Sequence, residues 1–186
     1  MANSGQGIIV VNTGNGKGKT TAALGMVLRS LGYENKVAVV QFAKGNWLTG
    51  ERNFAELLLE HPKLQDKLIW QCGAVKSGKW LKDNDEIDNF QLGKVLFDDT
   101  KKIVSENSDL QLLVLDEFNI ALANKYIDLV EFLDFISQCK KANIDVVITG
   151  RNAPKELIDA ADTVSDINEI KHAFKAGIIA KKGVDF

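Results

Sequence analysis

Four stretches of the chain are apolar at nearly every position: Ile8–Val11, Val37–Val40, Leu112–Leu115 and Val146–Ile148. Short runs of this kind, rich in β-branched residues and lacking polar alternation, predict strands covered on both faces, as in a parallel sheet. Between them the period becomes helical. Ala23, Met26, Val27 and Leu31 fall on one face of a helix over Lys19–Leu31, and Gly32 suits its C-terminal cap. Leu129, Phe132, Leu133 and Ile136 mark another, while Leu92, Val95, Leu96 and Ile103 predict the inner side of a long helix from Asp85 to Asn107. A helix from Arg52 to Glu60 stops at His61-Pro62, Leu68–Cys72 reads as a strand, Pro154 starts a short helix to Ala161, and Thr163 to Ile167 adds a strand. Strands alternating with helices predict one α/β domain, a mostly parallel sheet flanked by helices, over residues 8–186; residues 1–7 read as a flexible N-terminus.

The first strand opens into Thr13-Gly14-Asn15-Gly16-Lys17-Gly18-Lys19-Thr20-Thr21. Gly18, Lys19 and Thr20 hold the last three positions of the pattern Gly-x-x-x-x-Gly-Lys-Ser/Thr, with Thr13 in place of the first glycine. Gly14 and Gly16 can supply the backbone freedom that glycine usually gives. The main-chain amides from Gly14 to Thr21 can then converge on phosphate oxygens at the positive end of the following helix, with Lys19 reaching terminal phosphates and the Thr20 hydroxyl facing Mg²⁺. A Gly/Lys-rich surface turn is the alternative; the strand before and the helix-forming run after favour the phosphate cradle.

Two further strand ends carry chemistry. Leu110–Glu117 is an apolar run closing on adjacent carboxylates, Asp116 and Glu117, the hard oxygen donors Mg²⁺ requires opposite the loop hydroxyl. Asp116 could also cap the next helix. Ile144–Gly150 ends at Arg151, which suits either neutralisation of phosphate charge or a surface ion pair. Trp47, in the glycine-bearing loop 43–52, is open to a ligand role or to packing on a helix.

Bulk properties narrow the partners. Over 186 residues the net charge is −2, so no global basic field argues for nucleic acid. No apolar run approaches membrane-spanning length, and Met1–Gly7 lacks the charged and apolar regions of a secretion signal, so a cytoplasmic protein without membrane contact is expected. Cys72 and Cys139 are too few for a disulfide framework and read as buried apolar groups; with two histidines there is no zinc-ligand cluster.

The loop Thr13–Thr21, Val40-Gln41-Phe42-x-Lys44-Gly45, Gly50-Glu51-Arg52, Leu115-Asp116-Glu117, Thr149-Gly150-Arg151 and Lys171-His172-Ala173-Phe174-x-Ala176-Gly177, in this order, closely resemble the P-loop type of ATP:corrinoid adenosyltransferase. The resemblance implies a RecA-like fold, usually in a homodimer, that transfers the 5′-deoxyadenosyl group of ATP to a reduced corrinoid such as cobalamin and releases triphosphate. It implies Mg²⁺, for which Mn²⁺ can substitute, held by Thr20 and Glu117 with Asp116 nearby, and a flavoprotein as candidate reductant. It places Arg29 among the ATP contacts and Trp80 on the corrinoid side, where Gly78 stands in place of the family's earlier aromatic. Outside the resemblance, the same loop suits an NTPase, a small-molecule kinase or a non-catalytic nucleotide switch.

Overall fold

A computed structural model describes residues 5–42, 49–73 and 86–185. Trp47, Gly78 and Trp80 lie outside the described residues, with the rest of 43–48 and 74–85. The strands are β1 (Ile9–Thr13), β2 (Lys36–Gln41), β3 (Leu68–Cys72), β4 (Leu110–Asp116), β5 (Asp145–Thr149) and β6 (Thr163–Asp166). They form one sheet in the order β3-β2-β4-β5-β1-β6, with every pair parallel. The helices are α1 (Lys19–Leu31), α2 (Gly50–Glu60), α3 (Glu86–Glu106), α4 (Phe118–Ala123), α5 (Leu129–Lys141) and α6 (Lys155–Ala160), followed by a 3₁₀ turn at Ala173–Ala176.

The period of two along each strand divides the core. Val10, Val37, Val39, Leu112, Val114 and Val147 face α1 and α2, whose Ala23, Val27, Leu31 and Ala55 cover them. Their neighbours Ile9, Val11, Ala38, Val40, Leu113, Leu115, Val146 and Ile148 face the opposite layer, built from α3 to α6. Both faces are dry, so the central strands need no polar alternation. On α3 the inward face is displaced from the expected one. Val95 is 55% exposed, whereas Leu96 and Phe97 are buried; Phe97 packs at 5.4 to 6.0 Å from Phe118, Phe132 and Phe135. Val95 and Phe97 flank Leu96 on opposite sides of the helix, and the aromatic cluster draws in the side that carries the ring.

Phe42, just past β2, meets Phe118, at the start of α4, edge to face at 4.7 Å, and both are fully buried. These rings form a floor beneath the carboxyl-terminal edge of β2 and β4. At the other edge Gly7 is already part of the body: its amide donates to Lys140 O at 2.9 Å, and a Cβ there would overlap Ile144 O.

Candidate active site

The central strands, apolar through their length, each end in buried polar residues: Asn12 and Thr13 on β1, Gln41 on β2, Asp116 on β4 and Thr149 on β5. In a parallel sheet all of these ends lie on one edge, the side where open α/β sheets bind ligands. Here they meet the glycine-rich loop.

Within that loop the glycines divide the work. Gly14 (φ 94°) and Gly18 (φ 115°) take the left-handed conformations that a side chain resists. Gly16 serves a close approach instead: a Cβ would stand 2.8 Å from Asn168 carbonyl atoms, and the Gly16 amide donates to Ile167 O at 2.7 Å. The segment after β6 is therefore seated directly on the loop. Thr13, in the motif's first position, accepts from the Ala153 amide at 3.2 Å, a bond glycine could not make. Gly18 then starts α1 without a side-chain cap, leaving the first-turn amides of Lys19, Thr20 and Thr21 without acceptors inside the helix. Aligned with the positive end of a 13-residue helix, they suit an anion.

Lys19 is buried, and its ammonium donates to Gly16 O at 2.6 Å, across the mouth of the loop. Burial pulls its pKa below the ordinary lysine value, the nearby Glu117 carboxylate opposes this, Arg151 adds to it, and Asp166 opposes it. The charges of Glu117, Arg151 and Asp166 thus all act on Lys19. Lys17 reaches outward to an ion pair with Asp185. Asn15 lies exposed at the loop's tip.

β5 lies between β1 and β4, so the loop strand and the acidic strand stand roughly 9 to 10 Å apart. The start of α1 spans that gap. The Thr20 hydroxyl donates to Asp116 Oδ1 at 2.8 Å, and Thr149, on the intervening strand, donates to the same oxygen at 2.7 Å. Gln41 Nε2 donates to Asp116 Oδ2 at 3.0 Å. Asp116 does not cap α4. The N-cap is Glu117, held left-handed at φ 60°, ψ 20°, without a side-chain cap bond. Its amide donates to Thr149 Oγ1 at 3.0 Å, which turns the chain at the edge of the sheet.

This arrangement suits Mg²⁺. The ion prefers hard oxygens, needs one or two carboxylates and takes the rest of its shell from water and phosphate. Glu117 and the lone pairs of Thr20 are oxygens of that kind, the Thr20 proton being given to Asp116. Among the described residues there is no cluster of three or more His, Cys, Asp or Glu that would favour another metal.

Of the residues expected at the site, Gly14, Asn15, Gly16, Lys17, Gly18, Lys19, Thr20, Thr21, Asp116, Glu117 and Arg151 come to this edge. Arg29 does not: it is exposed in the last turn of α1, about 15 Å along the helix from Lys19. Gln41 and Thr149 stand in the motifs that carry the resemblance but receive no role from the sequence, and Asp166 is not in those motifs. The signal that could have found the first two is a lone polar residue terminating an apolar strand.

A glycine-rich loop facing an acidic strand end across one intervening strand is the arrangement of a RecA-like P-loop fold. The flagellar accessory protein FlaH from Methanocaldococcus jannaschii shares this fold, with TM-score 0.55 and 12% identity over 86% of this chain and 70% of its own. The family model for ATP:corrinoid adenosyltransferase BtuR/CobO/CobP matches residues 5–186, and the chain belongs to that family of enzymes. It is 39% identical over 190 residues to the corrinoid adenosyltransferase of Pseudomonas aeruginosa, covering all of this chain and 87% of the relative. The corrinoid adenosyltransferases of Sinorhizobium sp. (38% identity, 97% of this chain, 81% of the relative) and Escherichia coli K12 (37%, 100% and 89%) are similarly related.

Proposed function

We propose that the protein transfers the 5′-deoxyadenosyl group of ATP to the Co(I) centre of a reduced corrinoid, in adenosylcobalamin synthesis or salvage. Family membership across residues 5–186 is the observation that carries the substrate assignment. The cobalt lone pair attacks ribose C5′, the C5′–O bond breaks, and its electron pair leaves with triphosphate. Attack at carbon needs no side-chain general base. What it needs is stabilisation of charge gathering on the leaving polyphosphate, which preorganised donors supply most effectively in a site that excludes water.

The loop amides, the first turn of α1 and the Lys19 ammonium are assigned that task. Lys19 moves from Gly16 O to the terminal phosphates, and Arg151 adds positive charge at the same edge. Thr20 and Glu117 would hold Mg²⁺, with Asp116 orienting Thr20. When bound, that ion neutralises polyphosphate charge. The resemblance adds Trp80 on the corrinoid side, a homodimer and a flavoprotein reductant to the proposal; the ATP contact it assigns to Arg29 would lie about 15 Å along α1 from Lys19, away from the phosphate cradle. A cytoplasmic location belongs to it as well; no described helix is long and apolar enough to cross a membrane.

A second reading, ATP hydrolysis, is favoured by Glu117 directly after Asp116 and close to Lys19, where a carboxylate could polarise water. Anaerobic incubation with ATP, Mg²⁺ and chemically reduced cobalamin separates the two. Adenosyl transfer yields a light-sensitive cobalt–carbon product. Orthophosphate without that product supports hydrolysis and overturns the proposal.

A further inference from the structure

The Asp116 carboxylate is the hub of a buried polar chain running sideways through the sheet. At the end of β3 the Cys72 thiol donates to Gln41 Oε1 at 3.1 Å; Gln41 Nε2 donates to Asp116 Oδ2 at 3.0 Å; Asp116 Oδ1 receives the Thr20 hydroxyl at 2.8 Å. Gln41 is 1% exposed and Asp116 is fully buried. Burying an amide at the end of an otherwise apolar strand is costly unless its hydrogen bonds are made, and a valine there would be cheaper for folding alone.

Chemistry fixes the direction of the chain. A carboxylate oxygen only accepts, so the Gln41 amide must turn Nε2 towards Asp116, which leaves Oε1 needing a donor. Cys72 provides it. Gln41 on one oxygen and Thr149 on the other together hold the carboxylate's orientation, so Oδ1 stays aimed at the Thr20 proton. A hydroxyl ligating a cation must send its proton elsewhere, so this fixed acceptor sets the lone pairs of Thr20 towards the cation.

We propose that Gln41 is a positioning residue for the metal–polyphosphate site, with the Cys72 thiol satisfying the amide oxygen that this orientation leaves over. The inference rests on the Mg²⁺-dependent reading of Thr20 and Glu117. Partners that orient metal ligands in this way change metal affinity by about 10- to 100-fold when removed.

The test titrates Mn²⁺ against the protein with ATP, reading free Mn²⁺ by electron paramagnetic resonance, alongside ATP affinity without metal. Gln41→Met is expected to raise the half-saturating Mn²⁺ concentration by about tenfold or more while leaving metal-free ATP affinity as in the unaltered protein. Adenosylation should keep its kcat at saturating metal. Cys72→Ala should cause a smaller rise, and Cys72→Ser, whose hydroxyl can donate to Gln41 Oε1, should reverse it. A Gln41→Met protein with unaltered Mn²⁺ affinity overturns the proposal. If that variant does not fold, the Cys72 pair decides: a rise in Cys72→Ala reversed in Cys72→Ser supports it, and unaltered metal affinity in Cys72→Ala overturns it. Should the unaltered protein bind Mn²⁺ no better with ATP than without, the metal-site reading itself fails, and this inference fails with it.

Discussion

Thr20 and Asp116 stand 96 residues apart in sequence and 2.8 Å apart in space, the hydroxyl donating to a carboxylate that is wholly buried. The same carboxylate accepts from Thr149 and Gln41. Asp116→Ala removes the acceptor for all three donors and should destabilise the fold by about 2–4 kcal/mol, because buried donors without partners are expensive. Asp116→Asn keeps a carbonyl for the two hydroxyls and should cost less. Urea unfolding of both variants measures the difference; equal stabilities would contradict the network.

Lys19→Met should lower kcat/KM by on the order of 10²–10³-fold, the usual effect of deleting one preorganised donor to an accumulating negative charge. Its fold should survive, since burial already disfavours the ammonium. Steady-state kinetics and a thermal melt check the two halves. Retained activity would remove Lys19 from the phosphate site.

The sign of the Lys19 shift gives a pH dependence. Its folded pKa lies below the unfolded value, so the penalty for burying the ammonium is present in full below the folded pKa and fades as pH rises towards the ordinary lysine value of about 10.4. Over that window the unaltered protein should gain stability relative to Lys19→Met. A bound polyphosphate pulls the pKa back up, so ATP binding there should take up a proton. Calorimetry in two buffers of different ionisation enthalpy measures it, and proton release would contradict the assignment.

Glu117 holds a left-handed backbone at φ 60° that costs an ordinary residue about 1–2 kcal/mol. Glu117→Gly should therefore fold more stably than Glu117→Ala by about 1 kcal/mol, while both lose Mg²⁺-dependent tightening of ATP binding. Denaturant midpoints and metal titrations of the two variants test this separation of backbone from side-chain roles.

Gly14 combines φ 94° with a Cβ position 2.5 Å from Ile167 O. Gly14→Ala should strain the loop by about 1–3 kcal/mol and weaken nucleotide binding along with stability. A Gly14→Ala protein that binds ATP as the unaltered chain does would show that the loop does not need this conformation.

Much of this was legible before any coordinates. The four apolar runs became the central strands, and the loop from Thr13 to Thr21 and the Asp116-Glu117 pair came together because each ends a parallel strand on the same edge. Gln41 and Thr149 stand in the matched motifs, but their roles are not legible there, because a single polar residue closing an apolar run looks like the beginning of a loop. Their role depends on which strands are neighbours, and that is decided by long-range pairing. The seat of Asp166–Asn168 on the loop depends likewise on β6 lying beside β1. Val95 and Phe97 flank Leu96 on opposite sides of the helix, and only the ring cluster around Phe118 decides which of them turns inward. Cys139 met its expectation as a buried apolar group, its thiol pushed up to about 12 by burial; Cys72, half-buried and bonded to Gln41, did not.

The claim on which the rest depends is that the loop around Lys19 grips a polyphosphate that leaves whole when carbon is attacked. Phosphorus-31 NMR of a single anaerobic turnover with ATP, Mg²⁺ and reduced cobalamin measures this directly. The expected result is free inorganic triphosphate in one-to-one ratio with adenosylated cobalamin. ADP with orthophosphate, and no triphosphate, would contradict it.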